Sequence, residues 1–226
     1  MDTPHRPRLL DLFCGQGGAG WGYHLAGFDV TGVDIRPMPL HPPQMTFVHG
    51  DAIEYLKAHG HEYDAVHASP PCRAYTSARH SAPRRYRHPD LVGPVRRALR
   101  ATGRPYVIEN VPGAPLEDPV LLCGAMFGLL TYRHRLLEAS WDLAARVPVH
   151  PVHEARTARM GRPAGEGEFH SFVGNFSGLQ TAREVMQMPW ASQDGIRQAV
   201  PPAYTRLAGA ALLEFLSASG WETRCA

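Results

Sequence analysis

Arg8-Leu9-Leu10-Asp11-Leu12-Phe13 reads as a short apolar strand, and Cys14-Gly15-Gln16-Gly17-Gly18-Ala19-Gly20 carries it through a turn into a helix reaching about Ala26. Gly15, Gly17 and Gly20 match G-x-G-x-x-G in the strand–turn–helix context that the pattern requires. Lacking side chains, they let a ligand touch the backbone, while the helix N-terminus offers N–H donors to an anionic group. Taken alone, the turn suits any nucleotide or simply a tight bend. The next strand, Phe28-Asp29-Val30-Thr31-Gly32-Val33-Asp34, ends on an acid where a carboxylate accepts from both ribose hydroxyls. A third, Met45-Thr46-Phe47-Val48, leads into Gly50-Asp51-Ala52. Asp51 either caps the following helix or receives an adenine amino group, and the sequence leaves both open.

Further along, Tyr63-Asp64-Ala65-Val66-His67-Ala68 reads as a buried strand stopped by Pro70 and Pro71. Proline cannot donate to a ladder and restricts the residue before it, so Cys72 emerges on a stiff turn. That turn lies at the carboxyl end of a strand, where open α/β sheets place their ligands. A lone cysteine is ordinarily a small hydrophobe, but as a thiolate it is a strong nucleophile. Arg73 to Pro89 is a long polar stretch, and its cluster Arg84-Arg85-Tyr86-Arg87 is either a solvated face or a phosphate contact. A helix over about 89–101 leads to Pro105-Tyr106-Val107-Ile108, a strand that delivers Glu109-Asn110-Val111 to the same sheet edge as Cys72.

The remainder is less regular. Tyr132-Arg133-His134-Arg135 precedes a strand at Leu136 to Ser140, and two arginines at i and i+2 point the same way from an extended chain. Residues 144–168 are rich in Pro, His, Arg and Gly without periodicity. A helix opening at Thr181 should stop before Pro189, and a last helix from Pro201-Pro202 to about Ser217 should dock through Ala203, Leu207, Ala210, Ala211 and Phe215. With 226 residues and no evident linker or repeat, the chain reads as one domain over 1–226. Hydrophobic residues at 44% and charged residues at 19% exclude wholesale disorder. A net charge of +2, carried almost wholly by arginine, permits a nucleic-acid partner without requiring one. No apolar run is long enough to span a membrane, so no membrane partner is expected. Cys14, Cys72, Cys123 and Cys225 are too scattered for a disulfide framework or a paired-cysteine zinc motif. No metal and a reducing, cytoplasmic setting are the expectation, with no signal peptide at the N-terminus.

The ordered set Asp11-Leu12-Phe13-Cys14-Gly15-Gln16-Gly17-Gly18, Val33-Asp34, Gly50-Asp51, Ser69-Pro70-Pro71-Cys72, Glu109-Asn110-Val111, Arg133-His134-Arg135 and Ala199-Val200-Pro201-Pro202 resembles the cytosine-C5 DNA methyltransferases. The resemblance implies an α/β, S-adenosylmethionine-dependent methyltransferase Rossmann-like fold, a seven-stranded mostly parallel sheet flanked by helices. It implies S-adenosylmethionine held by Asp11, Phe13, Gly15, Gly17, Gly18, Asp34, Ile35, Asp51, Ala52, Pro70, Gln198 and Val200. Within that set Phe13 packs on the adenine, the glycines line the amino-acid moiety, Asp34 takes the ribose and Asp51 the adenine amine. It makes Cys72, Glu109, Arg133 and Arg135 catalytic, with Arg135 near the base carbonyl and Arg133 holding phosphate or loop. Arg73, Arg84, Arg85 and Arg87 become contacts to DNA.

The chemistry agrees with those residue types. C5 of cytosine is a poor nucleophile until the Cys72 thiolate adds to C6, and a protonated Glu109 donating to N3 quenches the charge released. A stacked base is out of reach, so the cytosine is flipped out or presented single-stranded. Arg73 replaces the family's glutamine after the cysteine, Thr131 stands where a glutamine is expected, and the late motif lacks its glycine near Gln198. Against the family, the target-recognition domain is cut down to an irregular segment, 144–176, which implies a short or loose target, or help from a protein partner. The family suggests a phage or restriction–modification role. RNA or a free cytosine nucleotide as substrate, and a non-catalytic binding protein on the same fold, are the alternatives.

Overall fold

The computed structural model describes residues 6–75 and 89–220. The first strand, β1 (Arg8–Leu12), is followed by α1 (Gly18–Ala26), β2 (Asp29–Asp34) and β3 (Thr46–His49). Next come α2 (Ala52–His59), β4 (Ala65–Ala68), α3 (Val92–Thr102), β5 (Tyr106–Asn110), β6 (Val120–Leu122) and β7 (Arg135–Ala139). Three helices close the chain: α4 (Leu179–Val185), α5 (Gln193–Gln198) and α6 (Pro202–Ala218). The seven strands form one sheet in the order β3-β2-β1-β4-β5-β7-β6. The first five run parallel, and β7 lies antiparallel between β5 and β6.

Covering both faces of a parallel sheet demands apolar residues on both sides of each central strand. All of β4 and β5 is accordingly buried, Glu109 and Asn110 included. One face carries α1 and α6 over Leu9, Phe28, Val30, Val107 and Leu137. The other carries α2 and α3 over Leu10, Leu12, Val33, Val66 and Ile108. A satellite cluster, Phe172, Phe176, Ala182, Met186, Met188, Ala191 and Ile196, packs the α4–α5 region. The order reverses direction between β1 and β4, so their carboxyl ends face one crevice.

Several expectations change here. The last helix begins and ends as read, but it docks through Tyr204, Thr205, Ala208, Gly209, Ala211, Leu212 and Leu216. Of the expected face, Ala211 is buried, Ala203 and Leu207 are half-buried, and Ala210 and Phe215 are exposed. The reason is a close crossing with α1, in which Gly22 meets Thr205 and Gly209 meets Ala26 and Tyr23. Small residues at the crossing pull that stripe inward, and Phe215 stacks on Trp141 at the rim instead. Neither β6 nor α5 shows in the periodicity, because each spans too few residues. Between Arg146 and Leu179 the sole ladder contact among the described residues is an isolated bridge from Thr157 to Phe169. No helix of the described residues is long and apolar enough to cross a membrane.

Candidate active site

Cys72 stands where β4 runs out. Pro70 and Pro71 end the strand, and Cys72 opens a single 3-10 turn through Ala74 with its side chain partly exposed. The neighbouring strand β5 is in register, Ala68 opposite Ile108, so Glu109 arrives beside Ser69. Asn110 Nδ2 donates to the Pro70 carbonyl at 2.9 Å, tying the two strand exits together. Glu109 is buried and accepts from Arg135 Nε at 2.8 Å. Burial pushes its carboxyl above the usual range, against the opposing pull of Arg135, a Ser69 hydrogen bond and Arg133. The group therefore holds a proton more tightly than a free glutamate, as an acid near neutral pH must.

Behind Glu109 runs a buried polar chain. Ser69 Oγ lies 2.9 Å from His67 Nε2, and His67 Nδ1 lies 3.1 Å from the Tyr23 hydroxyl. Burial drives the imidazole of His67 down to about 3, so it is neutral and has one donor and one acceptor nitrogen for its two hydroxyl partners. The sequence reading passed over this chain. Its signal was a histidine within an apolar strand and a serine two residues on, just past the strand's end, a spacing that puts both on one face of extended chain.

The two arginines before and within β7 have different tasks. Arg135 reaches Glu109 and donates from Nη1 to the His134 carbonyl. Arg133 turns the other way, with a φ of 29°, and grips the carbonyls of Ile196, Arg197 and Ala199 at 2.7–3.0 Å. Of the two expected tasks for Arg133, loop or phosphate, its contacts are those of a loop clamp. Burial and the nearby Arg135 lower its guanidinium to about 9, which leaves it cationic at neutral pH, within the fields of Glu109 and Cys72.

The glycine turn differs from its simplest reading in one respect. A Cβ at Gly15, whose φ is +50°, would meet nothing within 4 Å, so this glycine opens onto free space. At Gly17 the missing side chain makes room for Met45, Pro42 and His41, and at Gly18 for the Val200 carbonyl at 2.6 Å. These two glycines accommodate the protein's own packing. Phe13 is held at φ 59°, a conformation that a bulky residue adopts only where its surroundings impose it. Asp34 accepts from the Gly15 N–H at 3.0 Å and the Arg36 N–H at 2.9 Å, and Ile35 beside it is 66% exposed. Asp51 caps α2, one oxygen accepting from the Ile53 and Glu54 amides at 2.9 and 3.0 Å, and Ala52 is the buried first residue of that helix. Gln198 is exposed and bonded to Arg36 and Asp194. Gln16, not foreseen as functional, exchanges hydrogen bonds with Ser192 and so stitches the turn to the start of α5.

Solved structures share this architecture. A prophage-encoded E. coli protein assigned as a DNA modification methyltransferase superposes with a TM-score of 0.67 at 15% identity, over 93% of this chain and 99% of that one. Dnmt2 methyltransferase of S. pombe gives 0.63 at 13%, over 94% and 99%. A methyltransferase of Entamoeba histolytica gives 0.63 at 11%, over the same 94% and 99%. The fold is the methyltransferase Rossmann-like fold. No protein-family model and no curated protein matches the sequence.

For a methyltransferase fold the residues around Gly15 fit a cationic nucleoside cofactor. Asp11 is wholly buried, and neither carboxylate oxygen has a hydrogen-bond partner. Burial raises it to about 8, against the pull of the Gly20 amide, with the charges of Asp34 and Glu109 adding to the rise. A wholly buried acid whose oxygens lack a hydrogen-bond partner suits a positively charged group. Arg73 is exposed in the turn that carries Cys72, whereas Arg84, Arg85 and Arg87 lie outside the described residues.

Proposed function

We propose that this chain is an S-adenosylmethionine-dependent methyltransferase acting on C5 of cytosine in DNA. The observation that carries the reading is the pairing of strand exits: a thiol on the β4 turn beside a buried, proton-retaining glutamate on β5, itself held by Arg135. The likeness in fold to a prophage DNA modification enzyme supports the same class.

S-adenosylmethionine supplies an electrophilic methyl group on a sulfonium. Asp11, Phe13, Gly15, Asp34 and Ile35 are the residues to hold it, with Asp51 available to the adenine amine through lone pairs that the helix cap leaves over. The Cys72 thiolate forms a bond to C6 of a flipped cytosine, breaking the C5–C6 double bond and directing its electrons toward N3. Glu109 delivers its proton to N3, so C5 gains the character of an enamine carbon instead of the ring accumulating charge. Arg135 orients Glu109 and reaches toward the base carbonyl. After transfer the C5 proton leaves to solvent, the thiolate departs from C6 and N3 returns its proton to Glu109, which restores the aromatic ring and the starting enzyme.

An oligonucleotide with 5-fluorocytosine at the target should trap Cys72, because fluorine at C5 does not leave as a proton does. A denaturation-resistant adduct on duplex DNA, absent in Cys72→Ala, is the expected result. An adduct formed on RNA alone moves the substrate to RNA, and no adduct on duplex DNA, single-stranded DNA or RNA overturns the reading.

A further inference from the structure

Four side chains that the proposed reaction does not use converge on the far edge of the sheet. Cys123 follows β6, His134 immediately precedes β7, and His150 and His153 come from the irregular segment. One ligand atom from each lies within 4.8 Å of all the others. Cys123 Sγ is 3.3 Å from His153 Nε2, and His134 Nε2 is 3.2 Å from His150 Nε2. A tetrahedral ion bound at roughly 2.0 Å to nitrogen and 2.3 Å to sulfur has ligand–ligand edges of about 3.3–3.6 Å. The cluster already approaches that spacing.

From this geometry we propose that Cys123, His134, His150 and His153 bind a structural zinc ion. One thiolate with three imidazoles is a borderline-soft set that suits zinc, and four protein ligands leave no open position for catalysis. The chain turns at Gly124–Phe127 directly after Cys123, where the Met126 amide donates to the Cys123 sulfur and fixes its side chain. Tyr132 stacks on His153 at 3.6 Å and donates its hydroxyl hydrogen to the Ala155 carbonyl at 2.8 Å, fixing the ring's orientation. The sequence argued against zinc because its cysteines are unpaired; that argument does not bear on a site drawing three ligands from histidine.

The ion would do what the local sequence cannot. Val149 and Val152 are 92% and 85% exposed, so the segment carrying His150-Pro151-Val152-His153 buries little apolar surface of its own. A metal bond in place of a core ties it to β6 and β7. His134 sits between Arg133 and Arg135, so the same bond fixes the backbone that presents Arg135 to Glu109.

The test uses the untagged full chain. Elemental analysis of the purified protein should find one zinc per chain. Cobalt exchanged into the site should show a thiolate charge-transfer band with intense tetrahedral d–d bands, and Cys123→Ser should lose the former. His150→Ala and His153→Ala alter exposed positions and spare the fold. Each should weaken zinc binding by more than the roughly 10–100-fold that even an outer-shell partner is worth, as read by competition with a chromophoric chelator. Protein that purifies without metal and takes up neither zinc nor cobalt overturns the proposal, as does wild-type affinity no tighter than that of the two histidine variants. Adduct trapping by Cys72 is a separate readout, so failure there leaves these results standing.

Discussion

Asp11 is the residue whose chemistry is most at odds with its surroundings. Its folded-state value of about 8 lies above the ordinary 3.8, so the folded chain binds the proton more tightly than the unfolded one. The stability this confers is complete below about pH 4 and is lost as pH rises through about 8. Asp11→Asn should abolish that slope and stabilise the ligand-free protein near pH 8 by a few kcal/mol, on the order set by a shift of this size. Urea midpoints of the two proteins across the window check it. S-adenosylmethionine affinity should move oppositely, rising with pH in the wild type and staying flat in Asp11→Asn. The sequence placed Asp11 in the cofactor motif, but its burial depends on Gly20 of α1 approaching its carboxylate, which no local pattern encodes.

At the scale of elements, the crossing of α1 with α6 is set by two glycines. A Cβ on Gly22 would stand 2.0 Å from Thr205 Oγ1 and 2.2 Å from the Pro202 carbonyl, and Thr205 Oγ1 also donates to the Ala19 carbonyl at 2.7 Å. Gly22→Ala should therefore lower stability by about 1–3 kcal/mol despite its better helix propensity, whereas Gly50→Ala, with nothing within 4 Å, should stay within about 0.5 kcal/mol. Denaturant midpoints distinguish them. The strands that carry Asp11, Asp34, Cys72 and Glu109 were legible because apolar runs bounded by glycine or proline leave few other conformations. The buried side of α6 was not, because a helix with alanine on several faces reveals its inner stripe only when α1 packs against it. Arg133 illustrates the same limit, since its carbonyl partners lie more than sixty positions away.

For the molecule as a whole, the proposed function makes target choice depend on how much of the chain is left to read a sequence. If residues 144–176 read the target, as the proposed function has it, so short a segment brings few side chains to base edges, and each good base contact is worth about 1–3 kcal/mol of discrimination. Methylation mapped by bisulfite or long-read sequencing in an expressing host should show a short or loosely defined target; a long, strictly defined target would contradict this. The sequence by itself determined the succession of the parallel strands with their turns and the placing of a thiol and an acid at strand ends. Hydrophobic periodicity and proline or glycine punctuation act over a few neighbouring residues, and these features need nothing more. Only the tertiary structure decided which glycine opens onto free space, which arginine meets Glu109, and that one cysteine and three distant histidines share a corner. Those outcomes depend on register between strands and on packing across the sheet, where residues far apart in the chain become neighbours.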